Sequence, residues 1–247
     1  MVSKNQIKYV RQLEQKKWRR REGAFVAEGP KVVGDLLRAG FVARMVFATE
    51  AWEGWCMQSG SPVAQTVTDE ELRKISFLQH PQQVLAVFEM PASTMKTDSL
   101  RPVEGLLLAL DGVQDPGNLG TIIRIADWFG IGTIVCSEDT ADAWNPKVVQ
   151  ATMGSIARVN IIYINMVDFL EKTQVPIFGT LLDGENIYQQ ELPSNGIIVM
   201  GNEGNGISEP VRRLVTHKLL IPAFREGAES LNVAIATAIT CSEFRRR

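Results

Sequence analysis

Strands and helices alternate along the second half of the chain, and this order restricts the fold more than any other feature of the sequence. The run "GLLLALDG", residues 105–112, is continuously apolar, as expected of a strand buried on both faces. The later runs "GTIVCS", "RVNIIYI", "IFGTLLDG", "GIIVMG" and "KLLIPA" are also typical of strands, and helical patterns separate several of them. The sequence therefore predicts an α/β fold with a mainly parallel sheet and helices on both faces.

Capping residues and apolar spacing predict where the main helices of this half begin and end. A helix is expected over residues 118–130, with Asn118 as its cap. Another is expected from the Asn-Pro pair at 145–146 to about Met153, because proline is favoured at the first helical position. The last helix should run from Ser230 to Arg247. Its segment "LNVAIATAIT" is apolar nearly all round, which predicts burial on all sides.

A change of composition divides the chain. The segment "MPASTMKTDSLRPVEG", residues 90–105, is rich in Pro, Ser, Thr and Lys and is typical of a linker. The predicted domains are therefore residues 1–91 and 105–247, joined by a linker at 92–104. The first part combines a basic helix near Lys4–Lys17 with the strand-like runs "AFVAEG", "ARMVFA" and "VLAVFEM", which indicates a small α/β module.

The charge of the chain is distributed unevenly. The net charge is −2, which by itself does not indicate a nucleic-acid partner. Between Lys4 and Arg21, however, eight basic residues stand against Glu14 alone. Such a block is typical either of a nucleic-acid contact or of a solvated helix face, and charge alone does not choose between them.

Several classes of protein are disfavoured by what the sequence contains. The three cysteines are widely spaced without a C-x-x-C motif, and neither His80 nor His217 has a partner at metal-ligand spacing, so we expect no disulfide framework and no metal site. The first residues lack the apolar core of a signal peptide, and no apolar run approaches the ~18–20 residues of a membrane span. A soluble protein of the reducing cytoplasm is expected, with no membrane partner.

Three polar loops follow three of the predicted strands. They are "LDGVQDPGNLGTIIRIA", "MGNEGNGIS" and "IPAFREGAESLNVAIA". Ligands of parallel sheets bind beyond the carboxyl ends of the strands, so all three loops could line one site. They contain no histidine and no cysteine, which excludes a Ser-His-Asp or Cys-His mechanism there. The glycine order G-x-x-G-x-G also differs from the dinucleotide fingerprint G-x-G-x-x-G, which disfavours a nicotinamide dehydrogenase.

Taken together, "DPGNLGTIIR", "GNEGNGIS" and "ESLNVA" resemble the three signature motifs of the SpoU (TrmH-like) branch of the SPOUT RNA methyltransferases, in order and spacing, from about Gly105 to Arg247. The segment "FVAEGPKVVGDLL" resembles the L30e-like substrate-binding domain that is often fused to this family. The resemblance implies S-adenosylmethionine as methyl donor, an RNA ribose 2′-hydroxyl as acceptor, a homodimer and a C-terminal trefoil knot.

The resemblance also assigns residues. For catalysis it implies Arg124, Asn118, Glu203, Ser230 and Asn232. For binding of the donor it implies Gly201, Ile221, Leu231, Thr180, Met200 and Gly206. The RNA-binding residues of the basic segment would be Lys16, Lys17, Arg19 and Arg20. Each polar residue also has a purely structural interpretation, since the asparagines and Ser230 can cap helices or shape turns.

Arg124 is the family's candidate base at the target ribose. Arginine keeps its proton with a pKa above ~12, so orienting the hydroxyl or binding a phosphate is the more consistent role. Ala234 stands where many relatives have serine, which argues against a hydroxyl function there.

The sequence therefore predicts an S-adenosylmethionine-dependent RNA 2′-O-methyltransferase, with ribosomal RNA favoured over transfer RNA. A transfer-RNA enzyme and a non-catalytic knotted RNA-binding protein are the alternatives.

Overall fold

The computed structural model describes residues 1–52, 63–91, 105–225 and 230–246. The helices are α1 (Lys4–Gln12), α2 (Lys16–Glu22), α3 (Pro30–Arg38), α4 (Asp69–Ile75), α5 (Pro116–Trp128), α6 (Pro146–Ala151), α7 (Met166–Glu171), α8 (Glu209–Arg212) and α9 (Val233–Arg245). The strands are β1 (Ala24–Glu28), β2 (Ala43–Ala48), β3 (Gln65–Thr66), β4 (Val84–Glu89), β5 (Leu106–Leu110), β6 (Thr133–Cys136), β7 (Asn160–Tyr163), β8 (Ile177–Asn186), β9 (Gly196–Met200) and β10 (His217–Leu220).

These elements pack as two compact units. The first unit is made of Met1–Ala92 and Asp142–Ala157, and the second of Ser93–Ala141 and Arg158–Arg247. The predicted linker at 92–104 lies outside the described residues. The predicted domain limits, 1–91 and 105–247, stay a prediction, because segment 142–157 belongs by sequence to the second predicted domain and by packing to the first unit.

Over the described residues, the sheet of the first unit has four strands in the order β1-β4-β2-β3. β4 runs antiparallel to β1 and β2, whereas β3 joins β2 in parallel. β1 is buried along its whole length, and α1 and α4 contribute buried apolar side chains to the same core, among them Val10, Leu72 and Ile75. This architecture agrees with the small α/β module predicted from the sequence.

The single basic helix predicted near Lys4–Lys17 is wrong, because the segment forms two helices with a break between them. α1 ends at Gln12, and α2 begins at Lys16. Arg19 stabilises the break, since its Nη1 donates to the backbone carbonyls of Leu13 at 2.8 Å and Glu14 at 2.6 Å. These carbonyls lie just past the end of α1 and have no partner within the helix, so the guanidinium of the buried Arg19 supplies their hydrogen bonds.

Segment 142–157 completes the first unit. Asp142 pairs with Arg19, which is only 1% exposed, and the Trp144 ring packs against Phe25 with 4.5 Å between ring centroids. α6 follows and lies against β1. The first unit is therefore built from two stretches of chain that are far apart in sequence.

The second unit contains a parallel sheet. Across the described residues its six strands have the order β10-β8-β9-β5-β6-β7, and every neighbouring pair is parallel. β5 and β9 lie at its centre and are buried at every position, as their uninterrupted apolar runs predict. The predicted α/β fold with a mainly parallel sheet is confirmed. The C-terminal knot stays a prediction.

Several predicted helix ends are shifted. α5 begins at Pro116, and its cap is Asp115, whose Oδ1 accepts from the N–H of Asn118 at 2.8 Å, so the prediction that Asn118 caps this helix is wrong. Asp followed by Pro is itself a strong start signal, because the carboxylate satisfies a free N–H and proline lacks one. α6 ends at Ala151, shortly before Met153, which has a φ of 52°.

The last helix is also shorter than predicted. α9 starts after its cap Asn232 and ends at Arg245, whose Nε donates to the carbonyl of Phe129 at the end of α5 at 3.0 Å. One face of α9 is buried, but Ile235 is 54% exposed. Burial on all sides is therefore not achieved within one chain. No helix in the described part of the chain is long and apolar enough to cross a membrane.

Candidate functional site

The three polar loops emerge from one edge of the parallel sheet. The first loop, residues 111–115, follows β5, and the second loop, residues 201–208, follows β9. β5 and β9 are parallel neighbours with Leu110 opposite Met200, so these loops start side by side. The third loop, residues 221–232, follows β10, and the structure describes it at 221–225 and 230–232. This is the arrangement that places ligands at the carboxyl ends of parallel strands.

Backbone and side-chain hydrogen bonds fasten the first loop to the second. The N–H of Asp111 donates to the Met200 carbonyl at 2.9 Å, and the Asp111 carboxylate accepts from the N–H of Ser208 at 2.7 Å. Asn202 Nδ2 donates to the carbonyl of Gly112 at 2.7 Å. The sequence reasoning missed Asp111, although a carboxylate directly after a buried apolar strand is a recognisable signal of a group placed at the sheet edge.

Glu203 connects the second loop to the start of α5. Its carboxylate accepts from the backbone N–H groups of Gln114 at 3.2 Å and Asp115 at 3.1 Å and from Asn118 Nδ2 at 3.0 Å. A carboxylate near a helix N-terminus is favourable because the helix dipole is positive there. Burial raises the pKa of the Glu203 carboxyl, but these hydrogen bonds outweigh it, and the pKa lies below its ordinary value of 4.5.

Asn118 connects the same carboxylate to the third loop. While its Nδ2 donates to Glu203, its Oδ1 accepts from Asn232 Nδ2 at 2.9 Å. The Asn232 Oδ1 caps α9 by accepting from the N–H groups of Ala234 at 2.9 Å and Ile235 at 3.3 Å. Both amides use both of their ends, so the network Glu203–Asn118–Asn232 has one consistent orientation and ties all three loops together.

The glycines of the second loop are required by the loop itself. A Cβ on Gly201 would lie 2.2 Å from the backbone carbon of Gly206, because the loop closes tightly on itself through paired hydrogen bonds between Asn202 and Gly206. Gly206 has a φ of +69°, a conformation that favours glycine. Asn202 also accepts from the N–H groups of Gly204 and Asn205 and so acts as a turn residue.

The residues predicted to bind the donor lie on the neighbouring strands β8 and β9 and in the loops after β9 and β10. Met200 and Gly201 are buried at the end of β9, and Thr180 lies on the neighbouring β8 with its Oγ1 3.6 Å from the Met200 sulfur. Ile221 follows β10, the next strand along, and is half-buried. Leu231 is 51% exposed beside Asn232 in the third loop. Donor binding by these residues and by Gly206 stays a prediction.

Arg124 and Ser230 stand outside the network. Arg124 is exposed on α5, and among the described residues it makes no hydrogen bond or ion pair. Trp128 lies one turn further along the same helix and is 84% exposed. Ser230 is likewise exposed, and Asn232, not Ser230, caps α9. The structure therefore brings Asn118, Glu203 and Asn232 together and leaves Arg124 free to meet a ligand from solvent.

One predicted RNA-binding residue is wrong. Arg19 is buried and holds Asp142 and two backbone carbonyls of the first unit, so it cannot contact RNA without disrupting that unit. Lys16, Lys17 and Arg20 of the same helix are exposed, and their binding of RNA stays a prediction. The basic run contained no signal that singled out Arg19, because the residue that neutralises it is more than 100 residues away.

No group of three or more His, Cys, Asp or Glu side chains in the described ranges is placed to hold a metal ion. Cys136 and Cys241 are buried free thiols. Burial raises the pKa of both thiols, that of Cys241 to about 12, so neither supplies a nucleophilic thiolate near neutral pH.

The chain is similar to known proteins over its whole length. The model of the SpoU rRNA Methylase family matches residues 105–242, and that of the MRM3-like substrate binding domain matches residues 4–86. A Bacillus subtilis (strain 168) protein, 23S rRNA (guanosine(2553)-2′-O)-methyltransferase RlmP, is 33% identical over 243 residues, which cover 96% of this chain and 95% of that protein.

Solved structures show the same similarity. A protein from Porphyromonas gingivalis, described as a TrmH-family RNA methyltransferase, is 45% identical, with a TM-score of 0.88 and coverage of 100% of this chain and 99% of that one. An AdoMet-bound rRNA methyltransferase from Sinorhizobium meliloti is 32% identical, with a TM-score of 0.87 and coverage of 100% and 97%.

Proposed function

Because the chain belongs to the SpoU rRNA methylase family, we propose that it transfers the methyl group of S-adenosylmethionine to a ribose 2′-hydroxyl of ribosomal RNA. The observation that carries this proposal is the network Glu203–Asn118–Asn232, which joins three loops at one edge of a parallel sheet. The B. subtilis relative, named as a 23S rRNA 2′-O-methyltransferase, and the AdoMet-bound S. meliloti relative support it.

The reaction is a displacement at the sulfonium methyl group of the donor. The ribose 2′-oxygen forms a bond to the methyl carbon, the carbon–sulfur bond breaks with its electron pair going to sulfur, and the hydroxyl proton leaves to solvent or a nearby acceptor. The residues need chiefly to align oxygen, carbon and sulfur, and good alignment can supply up to ~7–11 kcal/mol of the barrier reduction. A network that fixes the loops relative to one another serves this purpose.

The donor and the acceptor would use different parts of the site. The donor would lie against backbone groups of Gly201, Ile221 and Leu231, with Thr180, Met200 and Gly206 around it. These residues lie on the neighbouring strands β8 and β9 and in the loops after β9 and β10. Arg124 would bind the phosphate or orient the 2′-hydroxyl of the acceptor. Its guanidinium is exposed and has no ion-pair partner among the residues that the structure describes, so it is suited to recognising a phosphate with two hydrogen bonds.

RNA would also contact the first unit through Lys16, Lys17 and Arg20, which are exposed on α2. None of these three side chains forms an ion pair in the described part of the chain, so their charges are available for phosphates.

The molecule would act as a homodimer with a C-terminal trefoil knot. Trp128, Leu231 and Ile235 are exposed apolar residues of the second unit, and a partner subunit would cover such surface. Sedimentation of the full chain tests the dimer, with Ile235→Asp as the variant expected to weaken it. We expect the protein in the cytoplasm.

The function is tested by incubating the purified chain and radiolabelled S-adenosylmethionine with ribosomal RNA and transfer RNA from cells that lack the gene. Label should enter ribosomal RNA, and mapping of 2′-O-methyl groups should locate it at ribose. Label confined to transfer RNA would support the transfer-RNA alternative. Donor and RNA binding without any transfer would support the non-catalytic alternative.

A further inference from the structure

The exposed surface of α2 has a high density of positive charge, and most of these charges have no nearby carboxylate on the helix. Its basic face consists of Lys16, Lys17, Arg20 and Arg21, all exposed. Lys16 and Arg20, and likewise Lys17 and Arg21, are four residues apart, so each pair places like charges on neighbouring turns, which destabilises a helix. The basic residues of the last turn gain from the helix dipole, but Lys16 and Lys17 lie in the first turn, where that dipole is unfavourable.

α2 contains a single carboxylate, Glu22 at its last position, to offset this repulsion. Of the basic face, only Arg21 has an acidic neighbour within the described residues, Glu22, at 3.6 Å. Elsewhere in the same unit Lys31 and Arg38 are paired with Asp35. The basic face is therefore arranged as a surface that an external anion stabilises.

One aromatic side chain lies within this charged surface. Trp18 is half-buried, and its ring has the guanidinium carbon of Arg21 over it at 5.0 Å from the centroid and the Lys17 ammonium at 5.7 Å. A tryptophan that serves only packing would be covered by apolar side chains, whereas this ring has the cations of two exposed residues over it.

We infer that Trp18 is a stacking platform for an unpaired base of the RNA, with the basic face binding the phosphates on either side of that base. This inference rests on the proposed function, which makes RNA the substrate. Single-stranded RNA is recognised by aromatic rings that stack on bases and by cations that follow the backbone, and both occur together on α2. Double-stranded RNA keeps its bases stacked internally and offers none to the ring.

The two cations do not prevent a base from reaching the ring. Lys17 and Arg21 are exposed, and a cation–π contact at an exposed site is weak. When phosphates arrive, both side chains can move from the ring to the phosphate oxygens, and this movement uncovers the surface on which the base stacks. The same residues thus exchange an intramolecular partner for RNA.

The test is a double-mutant cycle with the full-length protein. One axis is Trp18→Leu, which keeps an apolar side chain and removes the aromatic ring. The other axis is the RNA, a short single-stranded oligouridylate against the same oligonucleotide with abasic riboses, which retains the phosphates. Wild type should bind the oligouridylate more tightly, and Trp18→Leu should lose roughly 5- to 150-fold for it, the factor that corresponds to stacking of one base.

Three measurements keep the test decisive. Trp18→Leu should bind the abasic RNA as wild type does, and Trp18→Phe should retain most of the preference for bases. The control Arg20→Met should weaken the binding of both RNAs by the same factor, because Arg20 is exposed and the cations over the ring are Lys17 and Arg21. The inference would be overturned if Trp18→Leu lost affinity for both RNAs by the same factor, or if it kept the wild-type preference for the RNA with bases. Binding is measured without methyl transfer, so a failure of the proposed activity would show separately.

Discussion

Asn232 joins Asn118 to the start of α9, because its Nδ2 donates to Asn118 Oδ1 at 2.9 Å while its Oδ1 accepts from the N–H of Ala234 at 2.9 Å. One side chain thus does two things that can be separated by substitution. The Asn232 side-chain oxygen stabilises α9. The Asn232 side-chain nitrogen orients the amide of Asn118, which in turn donates to Glu203.

Asn232→Asp should keep the helix cap and break the network. Aspartate is as good a cap as asparagine, so the free energy of unfolding should fall only by the lost hydrogen bond to Asn118, about 0.5–1.5 kcal/mol. The new carboxylate faces the Oδ1 of Asn118 and cannot donate to it, so Asn118 loses its orientation and methyl transfer should fall by up to ~10²-fold. Urea unfolding and single-turnover kinetics measure the two effects.

Asn165→Ala is the matched control, since it removes only the cap of α7. It should lower the free energy of unfolding by about 0.5–2 kcal/mol and leave activity unchanged.

Glu203→Gln should lower the free energy of unfolding at neutral pH, and its difference from wild type should disappear in acid. The pKa of Glu203 is lower in the folded protein, so the charged form contributes stability above the ordinary value of 4.5, and the contribution is lost as the pH falls through the lowered pKa. The difference in unfolding free energy between wild type and variant should therefore be largest near neutral pH and shrink below about 4.5. A difference that stayed constant across the acid range would contradict this origin.

Arg124→Ala should separate methyl transfer from donor binding. Arg124 is exposed and makes no hydrogen bond or ion pair in the described residues, so its removal should not affect stability. Donor affinity, measured by calorimetry, should stay within a few-fold, whereas single-turnover methylation should fall by at least ~10²-fold. Arg124→Lys should rescue poorly because lysine lacks the planar bidentate group. Equal losses of binding and transfer would show that Arg124 belongs to the donor site.

Gly201→Ala should destabilise the second loop even without a ligand. Its Cβ would lie 2.2 Å from the backbone of Gly206, so the loop must open, and both thermal stability and donor affinity should fall. Gly204→Ala is the matched control in the same loop, because its Cβ would meet its nearest neighbour, Asn202 Oδ1, at an ordinary 3.6 Å. A substitution at Gly201 therefore reports on the loop as well as on the donor, and calorimetry of the ligand-free variants separates the two.

Arg19→Met should affect stability and Arg20→Met should affect RNA binding, although the two residues are adjacent. Arg19→Met leaves the Asp142 carboxylate and two carbonyls without their partner and should cost on the order of 3 kcal/mol in unfolding free energy. Arg20→Met should leave the free energy of unfolding unchanged. It should make the slope of log K against log salt concentration for single-stranded RNA shallower by about 0.7, the value for one phosphate contact. An unchanged salt slope would remove Arg20 from the RNA contacts.

Local patterns were enough to predict the parallel sheet, because the buried runs at β5 and β9 are apolar at every position. They also predicted that the three polar loops could line one site, and the resemblance to one family assigned Asn118, Glu203 and Asn232 to that site. Patterns failed where a distant residue decides the outcome. The burial of Arg19 depends on Asp142, which is 123 residues away, so it is not visible in a local window. The cap of α5 is different, since the Asp-Pro signal at 115–116 is local and was overlooked.

The contribution of segment 142–157 to the first unit has a consequence for synthesis on the ribosome. When residues 1–92 have emerged, Arg19 has no carboxylate partner and Phe25 lacks the cover of Trp144. We therefore expect the N-terminal unit to stay incompletely folded until translation has passed Ala157, by which time β5 and β6 of the second unit have also been made. We therefore also expect residues 1–92 to be less stable when they are joined to a catalytic domain that lacks this segment. A catalytic domain that brings a matching segment after its second strand should restore the unit.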